Sequence, residues 1–248
     1  MANQEPKVRV EHLTKRFGDL LVLDDLNFEV QEGEFLCIVG PTGCGKTTFL
    51  NSLTRLYEPS AGDILVNGVP VDPKKQNISY IFQEYSSFPW LTVEQNIRFG
   101  LEIKRVPKAE ADASVEEMLE IVGLEQFRDY YPSQLSISML QRVAIARAFA
   151  TKPELLLMDE PYGQLDIDLR FKLEDELIKL WQRTGTTVLF ITHNIEEAVY
   201  LSQKIMVLTN KPTSVKTVID NPLPLPRDVV QPEFVELRNR VTDLIKWW

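Results

Sequence analysis

Apolar and polar positions change period several times along the chain. Val8-Arg9-Val10 and Phe28-Glu29-Val30 alternate, which is the period of a half-buried strand, and the opening third reads as short strands and turns. Ile64-Leu65-Val66 runs into Asn67-Gly68, two residues that tolerate positive φ, so a hairpin is predicted there. Phe35-Leu36-Cys37-Ile38-Val39 has no polar break and suits a parallel strand buried on both faces. A glycine-rich stretch follows, and then Phe49, Leu50, Leu53, Leu56 and Tyr57 recur at helical spacing. The order is strand, glycine-rich loop, helix.

From about Tyr85 to Thr151 the pattern turns helical. After Pro107, the stripe Val115, Met118, Leu119, Val122 meets a stop at Gly123. Leu155-Leu156-Leu157-Met158 and the runs 187–191 and 205–208 are three more buried strands. A helix carrying Leu169, Leu173, Leu177, Leu180 and Trp181 separates the first two. Strands alternating with helices imply a parallel, layered sheet, with residues 85–151 as a helical insertion. Residues 221–226 (Asn-Pro-Leu-Pro-Leu-Pro) read as an extended linker. A last helix sets Phe234, Leu237, Val241, Leu244, Ile245 and Trp248 on one face, either to pack on its own domain or to bind a partner. No internal repeat or low-complexity segment is visible.

Composition narrows the class. With 44% hydrophobic and 25% charged residues in 248, the chain is globular, and its core needs no disulfide or metal. Cys37 and Cys44 are the only cysteines, which excludes a disulfide framework and a four-cysteine zinc site and fits a reducing cytosol. Against 36 acidic residues stand 27 Lys and Arg, a net charge of −9, so no nucleic-acid partner is expected. No apolar run approaches the length of a membrane span, and the first residues lack the apolar stretch of a signal peptide. Any membrane role is expected to go through a partner.

Gly40-Pro41-Thr42-Gly43-Cys44-Gly45-Lys46-Thr47 fits the phosphate-loop pattern GxxxxGK[ST]. Its glycines let the backbone curl so that amides face phosphate oxygens, and the helix starting near Lys46 adds its positive end. Lys46 is suited to the β and γ phosphates, and Thr47 offers a hydroxyl to Mg²⁺. Such a site also needs an acid at the end of a buried strand. Asp159 supplies it for the Mg²⁺ shell, and Glu160 can polarise the attacking water. The alternative is a pair of strand-end carboxylates facing solvent. His193 ends the apolar strand after Thr192, a placement that favours a γ-phosphate contact over a structural role; His12 reads as a surface residue. Gln83 closes the strand 78–82, where it suits a metal or water contact.

In this order the pieces resemble the ATP-binding subunit of an ABC transporter, over nearly the whole chain. Phe82-Gln83 resembles the Q-loop, Asp159-Glu160-Pro161 the end of the Walker B strand, Leu165-Asp166 the D-loop, and His193 the switch histidine. Gln141-Arg142-Val143-Ala144-Ile145-Ala146-Arg147-Ala148 resembles the segment after the signature motif. The resemblance implies an α/β fold: a P-loop NTPase (RecA-like) core with an N-terminal antiparallel β subdomain and an inserted α-helical subdomain. Residues 1–84 and 152–210 would form the core with its β subdomain, 85–151 the helical subdomain and 211–248 a C-terminal tail. ATP would be bound by Gly40, Pro41, Thr42, Gly43, Cys44, Gly45, Lys46, Thr47, Thr48 and Gln83, with Phe17 against adenine. Ser136 would reach the nucleotide of the opposite subunit, and Thr47, Gln83 and Asp159 would hold Mg²⁺. Catalysis would fall to Glu160, His193 and Lys46.

Phe88-Pro89-Trp90-Leu91-Thr92-Val93, Asn96 and Phe99-Gly100-Leu101, with Leu225-Pro226-Arg227-Asp228 near the end, resemble the nitrate, sulfonate and taurine importer branch more closely. This implies two membrane permease subunits, an extracytoplasmic solute-binding protein and a place on the cytoplasmic face of the membrane. The stretch from Tyr85 to Trp90 would lie near the groove that receives a permease helix, unless it is simple core packing. One departure stands out. The signature is Leu-Ser-Gly-Gly in the family, and this chain reads Leu135-Ser136-Ile137-Ser138-Met139; Gln164 in the D-loop is also unusual. Residues acting on the chain's own nucleotide match, while those facing the partner's are altered. A heterodimer with a second ATPase subunit is therefore expected over a homodimer. The alternative is a catalytically weak, regulatory or structural nucleotide-binding subunit.

Overall fold

The computed structural model describes residues 5–83, 86–163, 165 and 167–245. The first half of the chain runs β1 (Val8–Phe17), β2 (Leu20–Val30), β3 (Phe35–Val39), α1 (Lys46–Leu53), β4 (Ala61–Val66), β5 (Val69–Pro70), β6 (Ile78–Ile81), α2 (Val93–Ile103) and α3 (Lys108–Ile121). It continues with α4 (Ile137–Ala150), β7 (Leu155–Asp159), α5 (Ile167–Thr184), β8 (Thr187–Ile191), α6 (Ile195–Leu201), β9 (Lys204–Leu208), β10 (Val215–Asp220) and α7 (Pro232–Ile245). These elements divide into two compact units, Met1–Gln76 with Thr187–Trp248, and Asn77–Thr186.

The first unit holds two sheets. One is antiparallel in the order β2-β1-β4-β5. Its first two strands have 10 and 11 residues, longer than the short strands expected, because shifts in register after Val10, Leu13 and Lys15 let the pair bend without ending. Gly62 faces this bent stretch, where a Cβ would lie 2.2 Å from the His12 carbonyl oxygen, so no larger residue fits. The hairpin predicted at Asn67-Gly68 is present: both residues have positive φ, 54° and 72°, and Val66 pairs with Val69.

The other sheet of this unit has the order β10-β9-β3-β8. β3 is parallel to both neighbours, and every residue of β3 and β8 is buried, which explains their unbroken apolar runs. Helix α1 stops at Leu53, short of the Tyr57 limit expected from apolar spacing. The Thr54 hydroxyl donates to the carbonyls of Leu50 and Asn51, and Arg55 turns to φ 58°; Leu56 is left 59% exposed. In α7, Phe234, Leu237 and Val241 are buried as the stripe predicts, while Trp248 lies outside the described residues.

In the second unit β6 and β7 are parallel, with Ile81 opposite Met158, and the four helices α2 to α5 follow or flank them. β6 ends at Ile81, one residue before the expected limit, and Phe82 is 41% exposed. Thr92 and Gln95 form a reciprocal cap at the start of α2. Asn96, fully buried in that helix, accepts from Phe88 N (2.8 Å) and donates to the carbonyls of Phe88 (3.2 Å), Leu91 (3.0 Å) and Thr92 (2.9 Å). Asn96→Ala would strand these backbone groups, so we expect a loss of about 2–4 kcal/mol. A lower urea midpoint with an unchanged m-value would show it.

Candidate functional site

The glycine-rich loop between β3 and α1 is shaped by three glycines. Gly43 and Gly45 have φ of 74° and 118°, which L-residues with side chains avoid. At Gly40 a Cβ would come within 3.0 Å of Leu208 Cβ and 3.2 Å of Cys44 Sγ. The Lys46 ammonium donates to the carbonyls of Gly40 (3.0 Å) and Pro41 (3.2 Å), and Lys46 is 6% exposed. Thr42, Gly43 and Thr47 form the exposed lip, with Pro41, Gly45 and Thr48 half-buried. No acidic side chain lies in the first turn of α1, whose N-terminus therefore keeps its positive potential. Cys44 faces inward; burial pushes its thiol up from the ordinary range, against the pull of the Lys46 charge, so it stays protonated. Its carbonyl accepts a hydrogen bond from the Thr213 hydroxyl, a partner 169 residues away that no local pattern announces.

β8 runs parallel beside β3 with Ile38 opposite Ile191, so His193 leaves the sheet at the same edge as Gly40. It is exposed and stands one residue before Asn194, which caps α6 by accepting from the amides of Glu196 (2.9 Å) and Glu197 (3.4 Å). His12 is a surface residue whose Nδ1 lies 2.7 Å from Asp25 Oδ1. Phe17 is 42% exposed, edge-on to Tyr57 at 5.3 Å, with the Lys15 ammonium 4.9 Å from its ring centre.

The second unit brings Gln83, Asp159 and Glu160 together, because β6 and β7 are adjacent and parallel. Asp159 is 3% exposed and accepts from the Tyr80 hydroxyl at 3.4 Å, a neighbour the sequence did not single out. Glu160 is half-buried, and its φ of 46° puts a non-glycine residue in the left-handed region. Gln83 is exposed.

Ser136 caps α4, accepting from Met139 N at 3.3 Å, and its hydroxyl lies 3.0 Å from that of Ser138. The helix thus begins at Ile137, since Ser136 is a competent cap. Ile137 is 50% exposed on that first turn. Tyr85, Gln164, Asp166 and Trp248 lie outside the described residues.

A phosphate loop between a buried strand and a helix, with an acid pair at the end of another strand, defines a P-loop ATPase. The ABC transporter family matches residues 23–163, and the chain belongs to that family. An uncharacterized ABC transporter ATP-binding protein of Methanocaldococcus jannaschii is 44% identical over 97% of this chain and 91% of its own length. An aliphatic sulfonates import ATP-binding protein of Bacillus cereus is 41% identical over 93% of this chain and 91% of its own. Among solved structures, a component of the cbiONQ ABC transporter complex of Clostridium perfringens covers 97% of both chains, with 25% identity and a TM-score of 0.79. A dimeric ATP-binding cassette bound to ADP and phosphate after hydrolysis covers 88% of this chain and 100% of its own, with 30% identity and a TM-score of 0.77. The chain is an ATP-binding, ATP-hydrolysing ABC subunit with the P-loop NTPase fold. Among the described residues no helix is long and apolar enough to cross a membrane.

Proposed function

We propose that this chain powers an importer of small anions, of the nitrate, sulfonate or taurine kind. Two permease subunits would hold it at the cytoplasmic face, and an extracytoplasmic binding protein would deliver the solute. The observation that carries the reading is the intact set Lys46, Gln83, Asp159, Glu160 and His193, each at a strand end or in the phosphate loop. Similarity to sulfonate-import ATPases supports the branch. Lys46 and the loop amides stabilise phosphoryl charge, His193 contacts the γ phosphate, and Glu160 takes a proton from the attacking water. Phe17 stacks on adenine. Bound with ATP, Mg²⁺ supplies further neutralisation of phosphate charge. The Thr47 hydroxyl, the Gln83 amide oxygen and the Asp159 carboxylate are hard oxygen donors of the kind it takes beside phosphates and water.

The partner is a second ATPase subunit with an intact signature. Ile137 places an exposed branched side chain where glycine would let backbone approach a ligand, and Ser138 lies against the Ser136 hydroxyl. That favours slow hydrolysis at the composite site containing this signature. The same observation supports the second reading, a subunit that binds ATP and scarcely turns it over. Steady-state hydrolysis in the permease complex separates them. We expect Glu160→Gln here to stop turnover and the matching change in the partner subunit to have a smaller effect. Robust permease-coupled hydrolysis by a homodimer overturns the heterodimer, and Glu160→Gln without effect favours the second reading.

A further inference from the structure

Residues 221–227 are not a free linker. Asn221 Nδ2 donates to the carbonyls of Val199 (2.8 Å) and Ser202 (2.9 Å). Arg227 donates through Nη1 to Val199 O (3.0 Å) and Tyr200 O (2.8 Å). Its Nε and Nη2 reach Leu223 O (3.1 and 3.0 Å), which closes the segment on itself. The carbonyls of Val199 and Tyr200 belong to the last turn of α6, where no later helical amide donates to them. Arg227 is 8% exposed, and burial lowers its guanidinium to about 10. Its charge faces the negative end of the helix dipole, the favourable polarity.

Helix α6 has seven residues, too few to persist without help at its ends. Its other end is the turn that carries His193. There the Thr192 hydroxyl accepts from Asn194 N (2.9 Å) and donates to the Glu197 carboxylate, and Asn194 caps the helix. One short helix therefore joins this strap, residues 221–227 anchored at both ends by the buried Asn221 and Arg227, to the histidine turn.

We propose that the strap positions His193, with Arg227 and Asn221 as positioning residues acting through α6. The proposal rests on the reading of His193 as a phosphate contact only for its effect on hydrolysis. The position of His193 can be followed apart from hydrolysis, because the chain has two histidines and His12 serves as an internal reference.

The test uses the full chain carrying Arg227→Lys, which keeps the charge and loses the planar fork, and Asn221→Ala as a milder change. We expect the His193 imidazole proton signals to shift or broaden while those of His12 stay in place. Amide exchange over residues 195–201 should quicken by about tenfold or more, with residues 46–53 unchanged. In the assembled complex kcat should fall about five- to tenfold, with ATP affinity held within about twofold. Unchanged exchange across α6 in both variants overturns the strap's hold. Faster exchange with an unmoved His193 signal overturns the positioning of the histidine. If His193→Gln hydrolyses ATP at the parent rate while the strap variants still move the His193 signal, the positioning stands and the catalytic reading of His193 fails.

Discussion

Glu160→Gln is expected to bind ATP within about twofold of the parent chain and to lower steady-state hydrolysis about 10²–10⁴-fold, the span attributed to a positioned general base. The exchange keeps size and hydrogen-bonding reach and removes the basic oxygen. Backbone geometry makes the comparison sharp. Glu160 sits at φ 46° directly after β7, a conformation that costs a non-glycine residue roughly 1–3 kcal/mol. Gln bears the same cost, so the variant should fold and melt as the parent does. Asp159 remains beside it, anchored by Tyr80, so nucleotide binding is preserved. A nucleotide titration and a hydrolysis assay on the same preparation decide the matter, and full activity would remove Glu160 from its role.

Lys46→Ala acts on binding instead. The ammonium is 6% exposed and already held inside the loop by two carbonyls, so it needs little ordering to meet phosphate oxygens. A hydrogen bond to a charged group contributes about 1.5–3 kcal/mol, which corresponds to an ATP affinity lowered roughly 10- to 150-fold. ADP lacks the γ phosphate and should lose less. Calorimetric titration of both nucleotides checks the difference, and equal losses for ATP and ADP would place Lys46 away from the γ phosphate.

The phosphate loop and the buried strands were legible because each is a local pattern. Continuous apolar runs at β3, β7 and β8 leave no alternative to burial on both faces, and Asn67-Gly68 names its own turn. What was missed depends on distant groups or on short length. β10 has no clear alternation, and only its antiparallel pairing with β9 reveals it as a strand. Seven-residue α6 falls below the length at which periodicity speaks, and its caps lie partly in residues 221–227. Proline-rich composition made that segment look unattached, while the bonds of Asn221 and Arg227 are invisible in one dimension. The Thr213 contact to the phosphate loop and the Tyr80 contact to Asp159 likewise require the fold. Sequence placed Leu56 and Tyr57 on α1 because spacing alone cannot see Thr54 turning its hydroxyl back on the helix.

The flanking of β3 by β8 and β9 has a consequence for synthesis. Both neighbours of this strand, and the Thr213 that holds Cys44, come from the last quarter of the chain. At about 5–20 residues per second, the ribosome needs roughly ten to thirty seconds to add the 169 residues between Cys44 and Thr213. Through most of that interval the apolar run Phe35–Val39 has neither of its partner strands, because β8 and β9 are still to be made. The phosphate loop, although encoded early, lacks its Thr213 contact until most of the chain has been made. Truncation before Thr213 removes the hydroxyl that ties down the Cys44 carbonyl, so a chain shortened there is expected to bind ATP more weakly although every residue of the loop is present, which a nucleotide titration checks.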